Sequence, residues 1–208
     1  MSPGSTPTGS GRRWNATRAA ACVARTFKRN KATRALDVVL EAGEAAVITR
    51  LCEELTTLLE NEGGGGGCGG GEGGEGGDSG DSRQSDPVLE RLFPRAYLDP
   101  TEEEAESEWQ RFVHDDLVDG RRQAVQTVER SLAGAVSRRG RFELSLDDEQ
   151  AQAWLAVIND SRLALGTRLE VTEDMDLSRL DPDDPDTAPY AVYWWLGVLE
   201  ERLIDVLL

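Results

Sequence analysis

Three cysteines, a single histidine and one carboxylate-dense stretch are the side chains of this 208-residue chain that could carry chemistry. A Ser/His/Asp or Cys/His arrangement would have to use His114, which stands beside Asp115 and Asp116 with no nucleophile motif near it. It reads as a solvated surface histidine. Zinc needs grouped Cys and His, whereas Cys22, Cys52 and Cys68 are scattered singly with no CxxC pair. The run Asp174 to Asp186 has enough carboxylates for calcium but fails the EF-hand pattern. Its sixth position lacks Gly and its twelfth is Pro185, so it reads as an acidic solvated loop. These residues predict no catalytic site, no metal and no cofactor.

The most specific polar residues lie instead within Trp154 to Val171, WLAVINDSRLALGTRLEV. Trp154, Leu155, Ile158, Leu163 and Leu165 fall near one face of an amphipathic helix, interrupted by Asn159, Asp160 and Arg162. Polar groups in so apolar a helix need partners if buried, which makes them a specified site or a polar network tying helices together. The network is the preferred reading. Gly166 stands where a helix C-cap would, ahead of a short extended run.

The surrounding elements follow from periodicity. Cys22 to Arg29 and Arg34 to Leu40 read as two short strands around Asn30-Lys31, with Leu36, Val38 and Leu40 pointing one way. A helix should follow over Gly43 to Glu60, with Val47, Leu51, Leu55 and Leu58 on its inner face. Asp86-Pro87 starts a short helix ending near Phe93-Pro94. Thr101 with Glu104 makes a capping box for one long helix to about Arg138, bent at Gly120. Arg141 to Leu146 alternates again, with Phe142, Leu144 and Leu146 inward, matching Leu36, Val38 and Leu40 in pattern. The last helix, Tyr190 to Leu207, is apolar nearly all round at its start and should be central. The predicted fold is α+β, mainly α: a helix bundle of about four main helices with a small β-sheet at one side.

Composition sets the organisation. Residues 1–21 are small, polar and basic and read as a disordered arm. Residues 22–208 read as a single helical domain, interrupted by a flexible Gly-rich insert at 63–85; residues 63–80 alone hold 13 glycines. Charge is uneven: residues 1–36 carry eight Lys or Arg and no Asp or Glu, the remainder 15 basic against 39 acidic, or −24. A body so acidic repels phosphate backbones, which disfavours direct DNA binding by the folded part. The basic arm is left to touch nucleic acid or to lie on its own body. The longest uncharged apolar-rich run near the C-terminus, Thr187 to Leu199, is shorter than the roughly 20 residues of a membrane span. No apolar segment of signal-peptide length precedes Cys22, so the chain reads as cytoplasmic.

Three blocks raise a resemblance: RLFPRAY at Arg91 to Tyr97, INDSRLALGTRLEV at Ile158 to Val171, and YAVYWWLGVLEERLIDVL at Tyr190 to Leu207. A fourth is ALDVVLEAGEAAVITRL at Ala35 to Leu51. Together they resemble an actinobacterial family catalogued as a domain of unknown function, which includes the oxidative-stress regulator AosR. In that light Asn159, Asp160, Arg162 and Gly166 are family-signature residues with a structural role. The resemblance implies a non-enzymatic, redox-responsive transcriptional regulator. It would act by contact with a protein partner, an extracytoplasmic-function sigma factor, to raise cysteine biosynthesis genes under oxidative stress. The alternative it leaves open is an adaptor or scaffold linked to ClpS-type regulated proteolysis.

Redox sensing would fall on the cysteines, which chemistry ranks. Cys22 lies between Arg18 and Arg25, and positive neighbours favour the thiolate. Cys68 sits in the glycine tract with acidic neighbours. Cys52, on the inner side of its helix next to Glu53 and Glu54, reads as a core filler before a reactive thiol. Cys22 attacking, with Cys68 as partner, is the favoured pair; unconnected free thiols are the default in a reducing compartment.

Overall fold

The computed structural model describes residues 27–63, 86–175 and 184–208. The basic arm, Cys22, Cys68, the glycine-rich insert apart from Gly63, and most of the Asp174 to Asp186 run lie outside the described residues. The fold is α+β, mainly α. Strands β1 (Phe27–Arg29), β2 (Leu36–Glu41), β3 (Val136–Arg138) and β4 (Arg141–Leu146) form one antiparallel sheet in the order β1-β2-β4-β3. The helices are α1 (Ala42–Gly63), α2 (Pro87–Leu92), α3 (Glu103–Trp109), α4 (Asp115–Ala133), α5 (Asp148–Arg168) and α6 (Ala188–Leu207).

The two alternating strands meet directly. Leu36 pairs with Leu146, Val38 with Leu144 and Leu40 with Phe142 across β2 and β4, so both inward rows line one face of the sheet. Leu36, Val38 and Leu40 are fully buried, and burying each contributes about 1.5–3 kcal/mol. The β1–β2 turn is closed by Asn30, whose side-chain oxygen accepts from the Ala32 and Thr33 amides at 3.0 and 3.3 Å. Arg139 and Gly140, both at positive φ (51° and 78°), make the two-residue β3–β4 turn.

Helix α5 is the hub, packing against α2, α4 and α6. It starts on a capping box in which Asp147 accepts from the Gln150 amide and the Gln150 side chain accepts from the Asp147 amide. Its Trp154 is fully buried, and the indole N–H donates to Ser131 Oγ of α4 at 2.9 Å.

Four local expectations differ from what forms. Thr101 caps nothing: Asp99 accepts from the Thr101 amide and hydroxyl at 2.9 and 2.8 Å, a 3-10 turn (Pro100–Glu102) intervenes, and α3 starts without a side-chain cap. The long helix breaks at a π turn, Gln110–His114, rather than at Gly120, which sits in regular helix with open space around it. Glycine permits a bend, but one inserted residue in the hydrogen-bond ladder imposes the change of register. That helix ends at Ala133, and Val136–Arg138 becomes the edge strand β3. In α1 Leu55 and Leu58 are buried as expected, but the buried face also takes in Ile48, Cys52 and Leu59, while Val47 and Leu51 are only partly buried.

Gly166 is not a cap either. The helix runs on to Arg168, and the left-handed position is taken by Glu170 at φ 51°. Val171 N–H donates to Gly166 O at 2.9 Å and Glu170 N–H to Thr167 O at 3.2 Å, the paired bonds of a Schellman ending.

Candidate functional site

Asp160 projects from α5 into the space between α2 and α4 and is buried. Arg121 of α4 faces it, with Nε 3.2 Å from Oδ2, an ion pair whose angle falls short of a hydrogen bond. Burial raises the Asp160 carboxyl above its ordinary value, and the attraction of Arg121 recovers only part of that shift. Arg121 does two further things: it donates to Leu92 O at the end of α2 at 2.8 Å, and it lies 4.6 Å over the Phe93 ring.

Its neighbour Arg122 donates to Leu59 O in the last turn of α1 at 2.8 Å. Two adjacent arginines therefore reach carbonyls near the C-terminal ends of two helices, where the helix dipole favours cations. His114 completes this corner. It is half-buried rather than solvated, packs on Phe93 with ring centroids 5.1 Å apart and tilted by 52°, and places Nε2 3.2 Å from Glu62 at the end of α1.

A second seam joins α5 to α6. Arg162 pairs with Glu200 at 3.0 Å and lies over the Tyr193 ring at 5.4 Å. Its shaft passes Gly197, where an added Cβ would stand 3.4 Å from Nε. Gly166 abuts the same tyrosine, and a Cβ there would come within 2.9 Å of Tyr193 Cε2. A Cβ at Gly166 would force the Tyr193 ring to shift, whereas one at Gly197 would only touch the arginine. Asp160, Arg162 and Gly166 thus point to two seams rather than to one pocket.

The sequence reading missed Glu106. It is 3% exposed on α3 and accepts from the Ala96 and Tyr97 amides at 3.0 and 2.8 Å and from Gln110 Nε2 at 2.9 Å. The Tyr97 amide leads in holding its carboxyl below the ordinary value; Gln110, the Ala96 amide and Arg95 add to it against burial. Glu106 therefore fixes the end of the RLFPRAY block. In sequence it is indistinguishable from Glu103, Glu104 and Glu108; its one distinction is a place beside Ala105 and Trp109 on the less polar side of the helix.

Cys52 is wholly buried in α1, and its thiol is pushed up to about 12 by burial and by the nearby Glu129 and Glu53. Among the described residues, no three Cys, His, Asp or Glu side chains are placed to hold a metal ion. A small recess between α1 and α5 is lined by Leu51, Leu55, Leu58 and Ala164; its polar groups are Ser161 and the Glu54–Arg168 pair. Among the described residues, no helix is long and apolar enough to cross a membrane.

A family model described as a domain of unknown function (DUF2017) matches residues 24–207. A Mycobacterium tuberculosis (strain H37Rv) protein named "Oxidative stress regulator AosR" is 36% identical over 137 residues, 61% of this chain and 60% of that protein. The Mycobacterium bovis protein of the same name matches to the same extent. A Mycobacterium leprae protein named "Putative oxidative stress regulator AosR" is 31% identical over 182 residues, 82% of this chain and 81% of its own. The chain therefore matches about three-fifths of the length of the first two relatives. No solved structure matches the chain.

Proposed function

The chain belongs to the family described as a domain of unknown function, DUF2017, and on that premise we propose that it is a non-enzymatic regulator of the oxidative-stress response acting through protein–protein contact. The observation that carries this reading is the likeness to proteins named oxidative stress regulator, which extends over 82% of this chain in one case. The use of its specified polar residues supports it. Asp160, Arg121, Arg162 and Glu200 are engaged with one another and with helix ends. A signature spent on seams builds a defined surface, which is what a contact protein needs.

The partner in this reading is an extracytoplasmic-function sigma factor in the cytoplasm, and the output is higher expression of cysteine biosynthesis genes. An acidic chain of net charge −16 suits a basic protein surface better than DNA. Redox input enters at Cys22. Peroxide oxidises its thiolate to a sulfenic acid, releasing hydroxide, and a second thiol (Cys68) condenses with it to a disulfide, releasing water. Cys52 is the poorest of the three for this step, because a thiol pushed up to about 12 holds almost no thiolate at neutral pH.

The test is genetic: delete the gene, then measure peroxide survival and cysteine-biosynthesis transcripts after a peroxide pulse. Lower survival and a blunted transcript rise, both restored by the wild-type gene, are expected. Unchanged survival and transcripts would overturn the proposal.

A further inference from the structure

The stretch from the RLFPRAY loop through α3 and the π turn is built unlike the rest of the molecule. Among the described residues, no helix or strand beyond its chain neighbours packs along α3 to more than a grazing extent, and we call the stretch the arm. The arm is nevertheless held firmly. Glu106 is buried beneath the loop and ties it to the helix through the Ala96 and Tyr97 amides. Arg95 adds an outer clasp to Glu103 at 2.7 Å.

What this fixed unit presents outward is apolar. Tyr97 is 37% exposed, Leu98 83% and Phe112 63%. Arg111 lies over the Phe112 ring at 4.8 Å. Apolar side chains of this size, exposed on a braced segment and rimmed by polar residues, are the material of an interaction surface. The charge around them selects the occupant. The arm itself, residues 91–114, carries six carboxylates against three arginines, and Glu104 and Glu108 stand one turn apart on α3. Two such arms would repel each other, which argues against a second copy of this chain.

We propose that this arm docks a basic amphipathic helix of a partner protein, with Phe112 and Leu98 as apolar anchors and the surrounding carboxylates pairing with its lysines and arginines. The proposal rests on the reading of the chain as a contact regulator and names the face that makes the contact. The acidic rim governs the encounter rate and its salt dependence, while the anchors govern how long the complex lasts.

The probe is a synthetic fluorescent helix, with Lys and Arg on one face and Leu and Phe on the other, titrated into the full chain at about 0.15 M salt. The expected result is at least a tenfold loss of affinity for Phe112→Ser and for the Glu104→Lys/Glu108→Lys double variant. Val136→Ser, an exposed apolar site on β3, should bind like the parent. Matching circular dichroism spectra would confirm that the variants are folded. Equal affinity across all variants means a polycation attracted to any acidic surface, and the arm is then no docking site. The same holds if sedimentation shows a dimer that Phe112→Ser dissociates, since the arm is then buried by a second copy. Either result would leave a peroxide phenotype of the deleted gene standing. Conversely, a tenfold loss with no phenotype would keep the docking arm and end the oxidative-stress reading.

Discussion

The Tyr193 ring lies so close to Gly166 that a Cβ at that glycine would stand 2.9 Å from Cε2. Gly166→Ala gains about 0.5–1 kcal/mol of helix propensity, but forcing a rigid ring aside costs about 1–3 kcal/mol. A net loss of about 1 kcal/mol is expected in chemical denaturation. Gly120→Ala, with nothing within 4 Å, should gain about 0.5–1 kcal/mol. In the Gly166→Ala/Tyr193→Ala double variant the two losses should be less than additive, since the smaller side chain removes the clash.

The two buried carboxylates should respond to pH with opposite signs. The Asp160 carboxyl is raised, so the stability it contributes is present below its ordinary value of 3.8 and is lost as pH rises through its higher folded value. The Glu106 carboxyl is lowered, so its contribution is present above 4.5 and is lost as pH falls through its lower folded value. Urea midpoints from acid to neutral pH check this. The deficit of Glu106→Gln against the parent should shrink towards acid, and that of Asp160→Asn should grow.

What was legible in the sequence is what depends on near neighbours. The alternation of Leu36, Val38 and Leu40 and of Phe142, Leu144 and Leu146 announces two half-buried strands, and these pair with each other. The edge strand Val136–Arg138 is short and wholly exposed; with no buried row it has no alternation to read, and the chain before it continues a helical pattern. The π turn changes register within a helix and leaves the residue types unchanged. Gly166 and Arg121 are set by Tyr193, Asp160 and Leu92, partners remote in the chain, so spacing alone assigns Gly166 to a cap. Cys52 was legible as a core filler on the inner side of α1 and is wholly buried there, whereas Val47 and Leu51 lie one residue off the buried positions, a difference finer than hydrophobic periodicity resolves.

Trp154 is the largest fully buried side chain among the described residues. Trp154→Ala should cost about 3–5 kcal/mol. Ser131→Ala, which removes only the acceptor of the indole N–H at 2.9 Å, should cost about 1–2 kcal/mol. Thermal unfolding of both variants checks the ranking; equal effects would mean that the hydrogen bond, not the packing, holds the indole.

Cys52 should resist alkylation in the folded protein, since its thiol is wholly buried and pushed up to about 12. Iodoacetamide at about pH 8, followed by peptide mass mapping, should leave Cys52 unmodified in native buffer and label it fully in denaturant. Cys22 should be labelled in both. Rapid native labelling of Cys52 would show that α1 opens on the time scale of the reagent.

The proposed redox-dependent contact with a protein partner is read by co-purification of the tagged full chain from cells with and without peroxide, using the wild type and Cys22→Ser. An extracytoplasmic-function sigma factor should be retained by the wild type in a peroxide-dependent manner, and Cys22→Ser should lose that dependence. Retention of a Clp component instead of a sigma factor, or identical retention by both proteins with and without peroxide, would contradict the account.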